Sequence, residues 1–353
     1  MQNTTTVTLI LLFIVAAGFF FLTRGDKFEL PEGETTSLEE KEEKKENVDI
    51  MKEVESSGDK TARVSEREVF VTDGVRHSIP LNEILSGGPP KDGIPSIYEP
   101  KFISIKEARD FLDDNSPGLG VKIGEVSRFY PYQILVWHEL VNDTLNGEDI
   151  LVSYCPLCLT GVVFDRRVDS KAVEFGVSGK LWKSNLLMYD RTGDSETESL
   201  WSQVLGEGVL GPETGTKLKI IPSDAVRFSD WIKENPNTEV LSKDTGATRI
   251  YGGDPYGDYY TNDTVSFGAS FSDTRLHQKE FVLGIEVAGE FKAYHTDALK
   301  EGITIDSFRG ETIEIVKDKF GGVRMSIDGE DLPYIGGFWF SWLAVHPDTE
   351  LFK

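Results

Sequence analysis

Apolar residues fall along the chain in three textures. Residues 7–22, VTLILLFIVAAGFFFL, form one unbroken uncharged run. Residues 26–60 are dense in Glu and Lys and show no apolar stripe. From about residue 65 onward, short apolar runs are broken roughly every ten residues by Gly, Pro, Asn or Asp, a rhythm of strands and turns.

Within that third region the patterning predicts named elements. REVFVTDGVRHSIP reads as a hairpin turning at Asp73-Gly74. IPSIYEPKFISI reads as extended and Pro-punctuated chain. SIKEARDFLDD reads as a helix with Ser104 as N-cap and Glu107 three residues later. PYQILVWHELVND is a second helical segment. DILVSY and GVVFDRR are strands flanking a CPLC turn, and AVEFGVSGK and LLMYDR are further strands. SDAVRFSDWIKENP is expected to be a capped helix ending before Pro236. The C-terminal FWFSWLAVHPDTELF is mixed. The fold class expected is α+β, a β-rich globular domain with substantial antiparallel sheet.

The first run is a membrane element. Sixteen residues at 1.5 Å each give about 24 Å, slightly short of the roughly 30 Å hydrocarbon core, and Thr6 and Thr23 extend it. Two readings stay open. The MQNTTT start has no Lys or Arg and no A-x-A-like site follows, which favours an uncleaved anchor over a cleaved signal and a secreted product. The division expected is therefore a transmembrane anchor or signal at 1–25, a charged disordered linker at 26–64 and a globular domain at 65–353.

Composition narrows the function classes. The chain of 353 residues carries a net charge of −23 with a pI near 4.7. Nucleic acid needs a basic face, so it is excluded as a partner. The anchor leaves the membrane itself as the one partner the sequence names. Two cysteines exclude a disulfide-stapled scaffold. No nucleophile elbow, zincin helix, P-loop or dinucleotide fingerprint is present.

The chain matches itself. GVKIGEVSRFYPYQIL at 120–135 aligns without a gap on GIEVAGEFKAYHTDAL at 284–299. One deletion later NDTLNGEDILVSY aligns with TIDSFRGETIEIVKD. This predicts a duplicated strand-turn-strand-helix-strand unit, near 118–155 and 282–318. Only the first copy has His138 and CPLC; KDKFGG stands in the place of the cysteines in the second.

CPLC carries the chemistry. Cys155 and Cys158 are the only cysteines, so a four-Cys zinc site is impossible. Three readings compete. One is a redox dithiol, which favours a first Cys at a helix N-terminus; here strands flank it. Another is a metal knuckle for a zinc or copper ion, with His138 and then His346 as the best further ligands. The third is a structural turn. His77 and His277 are expected on the surface or in loops, and His295, which follows the repeat tyrosine, in a local structural role. A polar stretch downstream supplies candidate ligand-binding residues: Ser178, Asn185, Tyr189, Asp190, Arg191, Trp201 and Gln203, with Ser199 beside them. Its alternative is ordinary sheet packing.

HELVND, VSYCPLCLTGVVFDR, FGVSGKLWKSNLLMYDR, TESLWSQ, DTRLHQKE and the closing HPDTEL occur in this order over roughly residues 90–353. Together they resemble the bacterial and archaeal family catalogued as domain of unknown function 3179. Leu159 departs from the Gly that usually follows CPLC there, and GDSE lengthens the loop after YDR. The family carries no established activity. The resemblance implies an envelope-associated or exported protein, and so an extracytoplasmic domain, although Arg24 and Lys27 after the apolar run would by charge count alone hold the domain inside. The leading function expected is a soft-metal site at Cys155, Cys158 and His138. The rivals are a noncatalytic ligand-binding or structural module and a dithiol oxidoreductase.

Overall fold

The structure is a computed structural model and describes residues 63, 64 and 67–353. The apolar run at 7–22 and the charged stretch up to residue 62 lie outside the described residues. Among those described, no helix is long and apolar enough to cross a membrane. Residues placed at the end of the linker, Arg63–Val64, form a short strand against Thr216–Lys217.

Strands dominate, in several sheets. A large antiparallel sheet is built as a meander of Phe175–Trp182, Asn185–Asp190, Leu200–Ser202 and Glu207–Leu210, with Ile84–Ser86 on one edge. The hairpin Phe70–Thr72 to Val75–His77 joins it; both turn residues have positive φ, 52° at Asp73 and 82° at Gly74, the geometry a tight two-residue hairpin needs. A second sheet of eight strands contains Glu148–Cys155 and Thr160–Asp165 and sits at the centre of the molecule's chemistry. Sheets of five, four and two strands complete the described fold.

Two five-part assemblies share one topology. In the first, the hairpin Pro117–Ile123 to Val126–Pro131 is flanked by Ser223–Arg227 running antiparallel to its first strand and Glu239–Leu241 running parallel to its second. The helix Phe228–Glu234 links those flanking strands. In the second, Phe281–Val287 and Glu290–His295 make the hairpin, Ile335–Phe338 and Glu350–Phe352 flank it in the same senses, and the helix Trp339–Val345 links them.

The side chains correspond as closely as the strands. Trp231 covers Gly120, and Trp342 covers Gly284; a Cβ on either glycine would lie 2.3 or 2.4 Å from the indole. Trp231 Nε1 donates to Thr238 Oγ1 at 2.9 Å, and Trp342 Nε1 to Thr349 Oγ1 at 3.0 Å. Tyr130 donates to Asp143 at 2.6 Å and Tyr294 to Asp306 at 2.8 Å. The same aspartates hold a cation, Arg128 at 2.7 Å and Lys292 at 2.6 Å.

Several expected helices are shorter or absent. After Tyr294 the chain makes turns rather than the helix seen after Pro131. Only residues 296–301 separate the two strands there, against 132–139 in the first half, and that is too short for two helical turns plus an exit. The helix Tyr132–His138 stops at Glu139, whose φ of 60° ends it, and Leu140–Leu145 is a strand. Ser223–Arg227 is likewise a strand, so the helix begins at Phe228 without a side-chain cap. The Ser104 capping box forms as expected, over the four-residue helix Ile105–Ala108.

Candidate functional site: a buried dithiol beside an apolar cavity

The CPLC segment is the turn of a hairpin. Cys155 ends one strand, Thr160 begins the next, and the two are paired. Pro156–Cys158 make one 3-10 turn, with proline at the position where its missing N–H is harmless. Leu159 then adopts φ 50° and ψ 32°, the left-handed conformation that reverses the chain. Such a position favours glycine, because a Cβ costs about 1–2 kcal/mol there.

Both thiols are free and buried, at 2% and 0% exposure. They converge on one acceptor: the Ser184 carbonyl lies 3.3 Å from Cys158 Sγ and 3.7 Å from Cys155 Sγ. That carbonyl sits at the tip of the hairpin between Phe175–Trp182 and Asn185–Asp190, where Lys183 and Ser184 both have positive φ. Behind the turn, Asn185 donates to Gln203, and Gln203 donates to Ser153 and to the Thr160 carbonyl. Tyr259 donates to the Leu157 carbonyl at 3.0 Å. The knuckle is thus braced by hydrogen bonds from three segments.

The two sulfurs differ electrostatically. Burial, followed by the adjoining Cys158 thiol, pushes the Cys155 thiol well above the usual range. Burial acts on Cys158 too, but the neighbouring Cys155 thiol, the Ser341 and Thr160 hydroxyls and the Asn185 amide outweigh it and hold that thiol below its usual value. The Thr160 and Ser341 hydroxyls are buried without a well-aligned acceptor and turn toward this sulfur.

Cys155 lines a cavity of about 160 Å3. Its walls are largely apolar, including Ile94, Val177, Leu181 and Leu186. A bulge between Val177 and Lys180 bends the strand beside it, as an extra residue on one strand does. Glu139 lines the same cavity. The residue is 6% exposed, its carboxyl group has no ion-pair or hydrogen-bond partner among the described residues, and burial pushes that group up to about 8. At neutral pH it is mostly an uncharged acid.

The structure does not gather the expected metal ligands. His138 Nδ1 pairs with the Pro95 carbonyl at 2.7 Å and Nε2 with the Tyr251 hydroxyl at 2.6 Å. Both nitrogens are spent, and the Tyr251 hydroxyl is itself tied to Thr245. His346 is sandwiched against Phe291 and Trp342, with ring centroids 3.6 and 4.3 Å away, and burial drives its imidazole down to about 3. Among the described residues, the grouping of three His, Cys, Asp or Glu side chains close enough to share an ion is Glu280, His295 and Asp297, without the cysteines.

Nor do the polar residues downstream form one surface. Asn185 and Gln203 turn inward behind the knuckle. Ser178 donates to the Leu187 carbonyl. Tyr189 and Arg191 both bind Asp92, at 2.7 and 2.8 Å, and Arg191 also reaches Tyr98. Asp190 accepts from the Ser199 amide, and Trp201 is core, edge-on to Phe175. His77 ends the hairpin strand Val75–His77, where it is buried and bound to Thr72 and Ile79 rather than lying on the surface or in a loop.

Sequence reading missed Glu139, Tyr256 and Ser341. One signal was available for Glu139: a lone acid inside VWHELV, where glutamate is rarely buried without a partner. Ser341 and Tyr256 carried none, because they come from segments distant in the chain. No curated protein and no solved structure matches this chain. A family model spans residues 91–328, which include the knuckle, Glu139 and every wall of the cavity beyond Gly87 and Pro89. The chain belongs to the family described as protein of unknown function (DUF3179).

Proposed function

We propose that this domain is a thiol–disulfide exchange protein whose redox centre is the Cys155–Cys158 pair. One observation carries the reading: two free thiols one turn apart converge on the Ser184 carbonyl, and one of them lines a cavity. A dithiol of this kind passes two electrons and two protons to a disulfide and becomes a disulfide itself. The more acidic Cys158 is the sulfur that closes the internal bond.

In this reading the apolar run at 7–22 anchors the protein and the charged stretch spaces the domain from the bilayer. The domain faces the extracytoplasmic side, where protein disulfides persist. The two halves descend from one duplicated unit, supported by the paired Gly–Trp–Thr and Tyr–Asp–cation constellations. Only the first half keeps a dithiol at its turn.

The full chain in detergent, equilibrated in dithiothreitol buffers of graded potential and then alkylated, tests this. Both thiols are expected to disappear together with one midpoint, and Cys155→Ser or Cys158→Ser to abolish the transition. Thiols that stay alkylatable at every potential would make the turn structural. Stoichiometric zinc or copper, lost in Cys155→Ser, would make it a metal centre instead.

A further inference from the structure

We infer that the cavity beside Cys155 is the binding pocket for the electron acceptor, that this acceptor is an uncharged, apolar disulfide, and that Glu139 carries the proton. The inference rests on the dithiol reading above and specifies its substrate.

The cavity supplies the selectivity. Its walls bring Ile94, Val177, Leu181, Leu186 and Phe267 around the Cys155 end. A carboxylate or ammonium placed among these apolar side chains would lose its water to groups that cannot hydrogen-bond it, and the lining cation, Lys180, is held by solvent. A dry cavity of comparable size lined by aliphatic side chains holds a benzene-sized guest. One arm of a small or apolar-flanked disulfide therefore fits, with a sulfur against Cys155. The titratable groups lining this space with Glu139 are Cys155, Tyr256 and Lys180, and Lys180 is exposed to solvent. Burial and the nearby Glu139 carboxyl hold the Tyr256 phenol far above its usual range, so it stays neutral.

The chemistry balances as follows. The Cys155 sulfur attacks one sulfur of the acceptor, and its proton passes to the carboxylate form of Glu139. The acceptor S–S bond breaks, and the departing thiolate takes that proton back. Cys158 then attacks Cys155, an internal disulfide forms, and the second thiolate leaves with the Cys158 proton. The acceptor gains two electrons and two protons; the dithiol loses them.

Two aromatic disulfide reagents of similar size separate the alternatives. 4,4′-Dithiodipyridine is neutral above weakly acidic pH; 5,5′-dithiobis(2-nitrobenzoate) carries two carboxylates. Each is mixed with the reduced full chain in stopped flow, and its rate is divided by its rate with dithiothreitol. The neutral reagent is expected to be about tenfold or more ahead after this normalisation, releasing two thiol equivalents per protein. With Glu139→Gln the lead of the neutral reagent persists, but the rate falls about tenfold or more and loses its rise through pH 8. Equal normalised rates would overturn the pocket while leaving the dithiol reading intact. An unchanged rate and pH profile in Glu139→Gln would remove the proton-carrier role. If neither reagent produces the internal disulfide, the dithiol reading itself falls.

Discussion

At Glu139 two costs fall on one residue: a φ of 60° outside the regions that side chains favour, and a carboxyl group withdrawn from water. The second cost has a definite pH signature. The folded carboxyl titrates near 8, whereas an unfolded glutamate titrates near about 4.3. Between those values the native state keeps a proton that the unfolded state releases. This group's contribution to stability is therefore fully present below the unfolded value and is lost as pH rises through the folded one. Over the whole window the loss is at most about 5 kcal/mol. Urea denaturation of the reduced protein should show stability falling from pH 5 to 8.5, and Glu139→Gln should flatten that slope. Parallel pH profiles for the two proteins would mean that the carboxyl group is solvated. Leu159 is a further residue-level cost: the backbone at the end of the knuckle is left-handed there, a conformation that glycine adopts at no steric cost.

At the level of elements, the two strand–helix–strand closures depend on glycine beneath tryptophan. A methyl group on Gly120 or Gly284 would have to displace an indole that is itself hydrogen-bonded to a threonine. Gly120→Ala and Gly284→Ala should each destabilise by about 1–3 kcal/mol, as overpacking does. Thr238→Val and Thr349→Val should each cost about 1 kcal/mol through the lost bond. Denaturant midpoints at unchanged slope measure all four. If only one member of each pair responds, the two closures are not equivalent and the duplication loses its mechanical support. The alignment of 120–135 on 284–299 pointed to the hairpins but not to these closures. Their shared letters, NPNTEV and HPDTEL, lie after unrelated intervening segments.

At the level of the whole molecule, the halves are joined through sheet. Thr160–Asp165, which follows the knuckle, pairs with Glu148–Cys155 on one side and reaches Ile335–Phe338 of the second half through Gly161 and Gly336. Unfolding either half exposes the other half's sheet edge. Tryptophan fluorescence and far-ultraviolet circular dichroism should therefore report one coincident denaturation of the folded region. Two separated transitions would show that the halves are stable alone. The same joint places the dithiol between the halves: Ser341, turned toward Cys158, comes from the helix that closes the second half.

What the sequence determined by itself was local. Alternating apolar residues, turn dipeptides and the Ser104 box prescribed strands, hairpins and one capped helix, because these depend on neighbours a few residues away. It also singled out the only pair of thiols and the motif order of the family. Tertiary structure alone decided what those thiols face. His138 is a plausible ligand by spacing, yet Pro95 and Tyr251 occupy both its nitrogens; Glu139 is unremarkable by spacing, yet packing strips it of water and sets it on the cavity wall of Cys155. Ionisation and coordination are settled by whatever lies within a few ångströms in space, and for this knuckle those groups come from chain segments up to 183 residues away, as Cys158 and Ser341 illustrate.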